Sequence, residues 1–299
     1  MLTSSRNNDD TADFVIIKKA ALLHLSRAFP NDDLLLAFGG SSNKAYHSEL
    51  YSDIDLYAHV NSENLVRLDL GTTEKFCSAI RNIVAEVETD GIYLVPFAGS
   101  YIESLLEGLV KCSLEAKMKN AQTPDIKLLQ CLFFPNHSSQ LAYPIPQVKI
   151  NFLSKGEIIL GSGRVKERIA AISNPNPSPS AHVHLPPTVT YEQIMLNNYI
   201  TLRSNLHLPY EVLAKHSVRN IKFCLTKSIE IFLYKNYKIE TSTIGDQLEH
   251  LSKLPEKSSK AFMLLEDIRS RQKVPQEEEL IEFYKKSADA INEITYAWL

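Results

Sequence analysis

The chain has 299 residues, with 32 basic and 35 acidic side chains and a formal net charge of −3. At roughly 150 residues per domain, that length predicts about two domains. Hydrophobic residues at 44% and charged residues at 22% exclude a disordered or collagen-like chain, and the balanced charge gives nucleic-acid binding no bulk support.

The N-terminus, MLTSSRNNDDTAD, lacks the apolar core of a secretory signal. No apolar run approaches the ~20 residues needed to cross a bilayer. A cytoplasmic protein with no membrane partner is expected. The cysteines Cys77, Cys112, Cys131 and Cys224 form no C-x-x-C pair, so free buried thiols are expected rather than a zinc site or a disulfide framework.

In chain order, Asp13 to Phe29 carries apolar residues at 14, 17, 21, 22, 25 and 29, a helical spacing. Leu34–Phe38 reads as a buried strand ending at Gly39-Gly40, and Asp53–Val60 as a second strand. Thr73–Val87 reads as a helix with Thr72 or Thr73 as its N-cap. Gly91–Phe97 is a short strand, Tyr101–Lys119 a helix and Ile126–Phe134 a strong strand. Val148–Leu153 and Glu157–Leu160 flank a Lys155-Gly156 turn and fit a hairpin, with the second segment also readable as the start of a helix. Nine of the ten glycines lie at or before Gly163. The first half is therefore expected to be turn-rich and mixed α/β, and the second mostly helical.

SNPNPSPSAHVHLPP (Ser173–Pro187) separates the halves and reads as an extended linker, since proline neither continues a helix nor pairs in a central strand. Beyond it, Val218, Ile221, Leu225, Ile229 and Phe232 form an apolar stripe at helical spacing. Tyr191–Leu206, Ser242–Leu254, Ser258–Arg271 and Gln276–Leu299 are further helices. The expected organisation is a domain over 1–172, a linker over 173–188 and a helical domain over 189–299. The fold class is α/β (α+β) with a mixed sheet, followed by an all-α helical bundle.

Chemistry concentrates in LLLAFGGSSNKAYHSELYSDIDLYAHV (Leu34–Val60). A small Gly40-Ser41 turn lets backbone N–H groups and a hydroxyl approach a phosphate. Eleven residues separate Ser41 from Asp53. Asp53 and Asp55, at i and i+2 of a strand, project from one face. Two carboxylates held close together repel unless a cation lies between them, and magnesium takes hard oxygen ligands from a couple of carboxylates plus substrate phosphates.

The segment resembles the nucleotidyltransferase superfamily related to DNA polymerase beta, in particular its minimal and antibiotic-modifying branches. The resemblance rests on Phe38-Gly39-Gly40-Ser41, a gap of this length, and Ser52-Asp53-Ile54-Asp55-Leu56. It implies a nucleotidyltransferase-like N-terminal domain, magnesium on Asp53 and Asp55, and ATP or another nucleoside triphosphate near Gly40, Ser41 and Lys44. It also implies a third carboxylate on a later strand. Asp125 is the only acid of the strand over 125–134 and is the candidate, while Gln130 sits mid-strand where a carboxylate is expected. If Gln130 holds that position, the site has two carboxylates and a neutral amide. Glu103, Glu107 and Glu157 are spare acids, each also readable as a solvated surface residue.

The implied reaction is magnesium-dependent transfer of a nucleoside monophosphate, AMP from ATP, to a hydroxyl acceptor. A small-molecule acceptor is favoured over a protein side chain or a tRNA end, because phosphate contacts to RNA need clustered Lys and Arg. Tyr191–Leu299 holds 15 basic and 15 acidic residues, so Arg203, Lys215, Arg219 and Lys222 read as part of a mixed helical surface rather than a phosphate-neutralising stripe. The alternative is a catalytically degenerate module that binds nucleotide or a partner protein without turnover.

Overall fold

Five apolar segments pair into one sheet in a computed structural model of the protein, which describes residues 9–30, 34–40, 53–60, 69–99, 125–134, 157–161, 187–241, 243–254, 259–270 and 275–296. The strands are β1 (Leu34–Gly40), β2 (Asp53–Val60), β3 (Ile92–Phe97), β4 (Asp125–Phe134) and β5 (Glu157–Leu160), in the spatial order β3-β4-β2-β1-β5. β1 runs antiparallel to both β2 and β5, whereas β2, β4 and β3 are mutually parallel. The mixed sheet expected from the sequence is thus observed. The predicted helix over 101–119, the strand over 148–153 and the linker residues 173–186 lie outside the described residues.

Two helices, α1 (Asp9–Ala28) and α2 (Leu70–Glu88), pack on one face of the sheet. On β1, Phe38 meets Phe14 of α1 edge-on, with ring centroids 5.7 Å apart. Phe133 of β4 stacks on Phe76 of α2 at 4.2 Å and lies 6.2 Å from Phe29, just past α1. Lys127 and Asp13 form an ion pair at 3.6 Å. His24 and Glu86 join the two helices at 2.6 Å. α2 begins at Leu70, three residues before the predicted start. Asp69, a residue type favoured at an N-cap, precedes it, and Thr73 is buried inside the helix. The turn into β3 passes through Gly91 at φ +82°, a backbone state that glycine adopts without strain.

The second half is helical throughout its described length apart from short connections. Its helices are α3 (Pro187–Ser204), α4 (Tyr210–Tyr237), α5 (Ile244–Leu251), α6 (Ser259–Ser270) and α7 (Glu277–Tyr296). α3 starts four residues earlier than predicted, because Pro187 is well suited to the first helical position, where its missing N–H costs nothing. The stripe Ile221, Leu225, Ile229 and Phe232 is buried along α4. Tyr210, at the start of α4, donates to the Pro275 carbonyl at 2.9 Å, just before α7. Among the described residues no helix is long and apolar enough to cross a membrane.

By internal packing the chain divides into two units. One comprises Met1–Leu65, Gly71–His182 and Arg203–Leu208, and the other Val66–Leu70, Val183–Leu202 and Pro209–Leu299. The short segment Arg203–Leu208 is held by the first unit through specific polar contacts. Arg203 donates to both Glu74 carboxylate oxygens, at 3.0 and 2.8 Å. Arg81 donates to the Arg203 carbonyl at 2.6 Å and to Glu74 at 3.2 Å. Asn205 donates to the Pro96 carbonyl of β3 at 2.8 Å, and the His207 ring lies 4.0 Å from that of Tyr93. β3 is at one end of the strand order, which is where a strand containing Pro96 belongs, since proline has no N–H to donate to a ladder.

The second unit contains a directional chain of side-chain amides. Asn198 of α3 donates to the Ile194 carbonyl at 2.8 Å, which turns its own oxygen toward Asn220 of α4. Asn220 donates to that oxygen at 2.6 Å, and its amide nitrogen also lies 2.8 Å from Nε2 of His216. With the amide orientation set at Ile194, His216 accepts at Nε2 and is neutral. Burial, together with the neighbouring Arg219 guanidinium, lowers its pKa below the usual 6.5.

Two stability outcomes follow. Replacing Arg203 with Ala removes two charge-assisted hydrogen bonds to Glu74, leaving it Arg81, and is expected to lower unfolding free energy by about 1–3 kcal/mol, measured by urea denaturation. His216 has a folded pKa below its unfolded value, so the unfolded state takes up more protons as pH drops. Its contribution to stability is complete above pH 6.5 and is lost as pH falls through the lowered folded value. The drop in urea midpoint between about pH 7.5 and about pH 5.5 is expected to be smaller in His216→Gln than in the wild type.

Candidate functional site

The site is built on the ladder joining β1, β2 and β4. Strand geometry sends alternate residues to opposite faces. On β2, positions 54, 56, 58 and 60 are in phase with Phe38 of β1 and with Cys131 and Phe133 of β4, the set covered by α1 and α2. Positions 53, 55, 57 and 59 form the other set. Asp55 pairs with Gly39 on one side and with Gln130 on the other, and Asp53 pairs with Leu128. Gln130 also pairs with Phe97 of β3, so Phe97, Gln130, Asp55 and Gly39 form one row across four strands.

Exposure changes along this face. Tyr57 and His59 are buried on β2, as are Val95 and Phe97 on β3. Burial pushes the Tyr57 phenol well above its usual range, so it is neutral across the working pH range. Asp55 and Gln130 are only half-buried. The polar end of the row therefore meets solvent, while the residues further along β2 anchor it. A carboxylate there keeps its charge at far lower cost than one set among Tyr57 and Phe97.

Asp125 occupies a different place from Asp53 and Asp55. It opens β4 opposite Ile92, five positions before Gln130, which is about 16 Å along a strand at ~3.3 Å per residue. Its position also falls in the alternate register set, with Lys127, Leu129 and Cys131. The ladder thus brings Gln130, not position 125, abreast of Asp55. Gly40 ends β1 opposite Ile54. Ser41, Lys44, Glu103 and Glu107 lie outside the described residues, and Glu157 pairs with Phe38 at the start of β5.

The residue types of this register set include oxygen donors: Asp55 and the amide of Gln130 in one row, and Asp53 two positions before Asp55 on β2. This is a hard donor set that fits magnesium. Among the described residues no group of three or more His, Cys, Asp or Glu side chains is placed to hold a metal ion. Arg203 is engaged with Glu74, whereas Lys215, Arg219 and Lys222 are exposed on α4. Gln130 as the partner of Asp55 was legible only as a mid-strand polar residue, since pairing between distant strands leaves no local mark.

No protein-family model matches the chain, and no curated protein matches it in sequence. Among solved structures it is similar to spectinomycin adenyltransferase AAD(9) from Enterococcus faecialis, determined with ATP and spectinomycin, at 9% identity, covering 94% of this chain and 98% of that chain with a TM-score of 0.24. At that score the likeness does not establish a common fold and carries no argument about activity.

Cys77, Cys131 and Cys224 are buried free thiols, as expected from the sequence. Burial pushes Cys77 and Cys224 up to about 12 and Cys131 well above its usual range. A thiol is alkylated through its thiolate, so none of the three is a working nucleophile. In the folded protein at about pH 8, iodoacetamide is expected to leave these three unmodified in a peptide mass map, and to label all three once urea unfolds the chain.

Proposed function

We propose that the chain is a nucleotidyltransferase that moves a nucleoside monophosphate, AMP from ATP, to a hydroxyl acceptor and releases pyrophosphate. The observation that carries this reading is the phase of the ladder. Asp53 and Asp55 share one register set at the Gly39-Gly40 end of β1, where Asp55 is half-buried. Gly40 and the two aspartates belong to the Gly40-Ser41 and S-D-I-D-L strings, whose spacing in the sequence resembles that of nucleotidyltransferases.

In this reading the acceptor oxygen bonds to the α-phosphorus while the bond from that phosphorus to the bridging oxygen breaks, and pyrophosphate carries away the electron pair. The acceptor's proton passes to a base. Gln130 cannot take it, because a neutral amide has no useful basicity at physiological pH. Asp53 and Asp55 would hold magnesium, which when bound neutralises charge on the phosphates. Gly40 and Ser41 would cradle the phosphates through backbone N–H groups and a hydroxyl, and Lys44 would add a positive charge. A small-molecule hydroxyl compound is the acceptor class proposed, ahead of a protein side chain or a tRNA end.

A second reading has one observation in its favour. With Gln130 abreast of Asp55, the row holds an amide where a third carboxylate would complete a fully acidic site. That suits a module that binds nucleotide, or a partner protein, without turnover.

Calorimetric titration with a non-hydrolysable ATP analogue, with and without magnesium, tests the proposal. Magnesium-dependent binding is expected in the wild type, with affinity reduced at least about tenfold in Asp53→Asn/Asp55→Asn. No binding by the folded wild type would overturn both readings as nucleotide sites. Binding without transfer from labelled ATP to any hydroxyl acceptor would favour the second.

A further inference from the structure

We propose that Gln130 is the residue that sets cation affinity at the Asp53–Asp55 pair, holding it to a single, weakly bound divalent ion in the absence of nucleotide. The inference rests on the reading of Asp53 and Asp55 as a cation site. It goes beyond that reading by assigning a role to a residue 75 positions further along the chain.

The argument is one of register and charge. Residues paired across neighbouring strands lie about 5 Å apart at their Cα atoms and occupy the same face. Gln130 is paired in this way with Asp55, and its other neighbour in the row is Phe97, which is buried and has no donor atom. Asp55 and Gln130 are both half-buried, so a cation at Asp55 stays in contact with solvent and keeps part of its water shell. Magnesium and manganese bind readily under those conditions.

Two carboxylates balance one divalent charge. The amide of Gln130 offers an oxygen donor but no further charge. A second cation in the same row would therefore be uncompensated until a polyphosphate arrived with its own negative charge. A Glu at 130 would remove that limit with almost no change in side-chain volume. It would add a third anion on the same face, which the bound cation must then screen. Affinity in oxygen-ligand sites rises with the charge count of the ligands.

The test is Mn2+ titration of the full chain without nucleotide, read as loss of the free-ion signal in electron paramagnetic resonance. The wild type is expected to bind one Mn2+ per chain, and Asp55→Asn to abolish that binding. Gln130→Glu is expected to bind about tenfold more tightly and Gln130→Leu several-fold more weakly, following ligand charge. Gln130→Asp provides a second acidic variant, and urea midpoints identify any variant that does not fold. Tightening in either acidic variant that disappears when Asp55→Asn is added supports the proposal. Equal affinity in wild type, acidic and Leu variants, with binding still dependent on Asp55, overturns it and leaves the cation site standing. Absence of Asp55-dependent binding in the wild type and in both acidic variants overturns the cation site and the proposal together.

Discussion

Everything distinctive about this chain depends on the hydrogen-bonded register of β1, β2 and β4. A strand alternates its side chains with a period of two, so a slip of one residue would exchange the two faces of β2. The observed register sets Phe38, Leu56 and Cys131 in one row and Gly39, Asp55 and Gln130 in the next. The first row lies beneath α1 and α2, where Phe76 stacks on Phe133. Burial of that aromatic and aliphatic face opposes a slip, because a slip would push Asp55 under the helices and Leu56 away from them. The polar row thus owes its position to the apolar one.

Among the described strands β3 ends the sheet, and a distant segment of the chain packs against it. β3 carries Pro96, whose carbonyl is satisfied by Asn205, and Tyr93, which stacks with His207. A bidentate Arg203–Glu74 pair, braced by Arg81, holds that segment in place. Fork-to-fork pairing of this kind gives geometric specificity as well as energy. An arginine readable as a phosphate ligand is thereby accounted for structurally. Its partner lies on a helix 129 positions earlier, and charge counting within the second half of the chain cannot reveal it.

Helix packing in the second unit combines an apolar stripe with a polar seam. Ile221, Leu225 and Ile229 bury one side of α4, while Asn220 and His216 engage Asn198 of α3 through amides whose direction is set at a backbone carbonyl. Buried polar groups of this type are tolerated because each makes its hydrogen bond. They specify a pairing more narrowly than interchangeable aliphatic contacts do, and they tie that pairing to the protonation of His216.

The sequence by itself determined the local features. Apolar periodicity marked the strands over 34–38, 53–60 and 126–134 and the helices of the second half. Glycine and proline marked the change of character between the halves. The i, i+2 spacing put Asp53 and Asp55 on one strand face. These follow from interactions among near neighbours, which the order of residues encodes directly. Tertiary structure decided which strand lies beside β2, that Gln130 rather than position 125 stands abreast of Asp55, and that Arg203 binds Glu74. Those outcomes depend on pairing between segments 75 or more positions apart. The physical reason is that hydrogen-bond register between distant strands is chosen by burial of a whole face, a property that no short stretch of sequence contains.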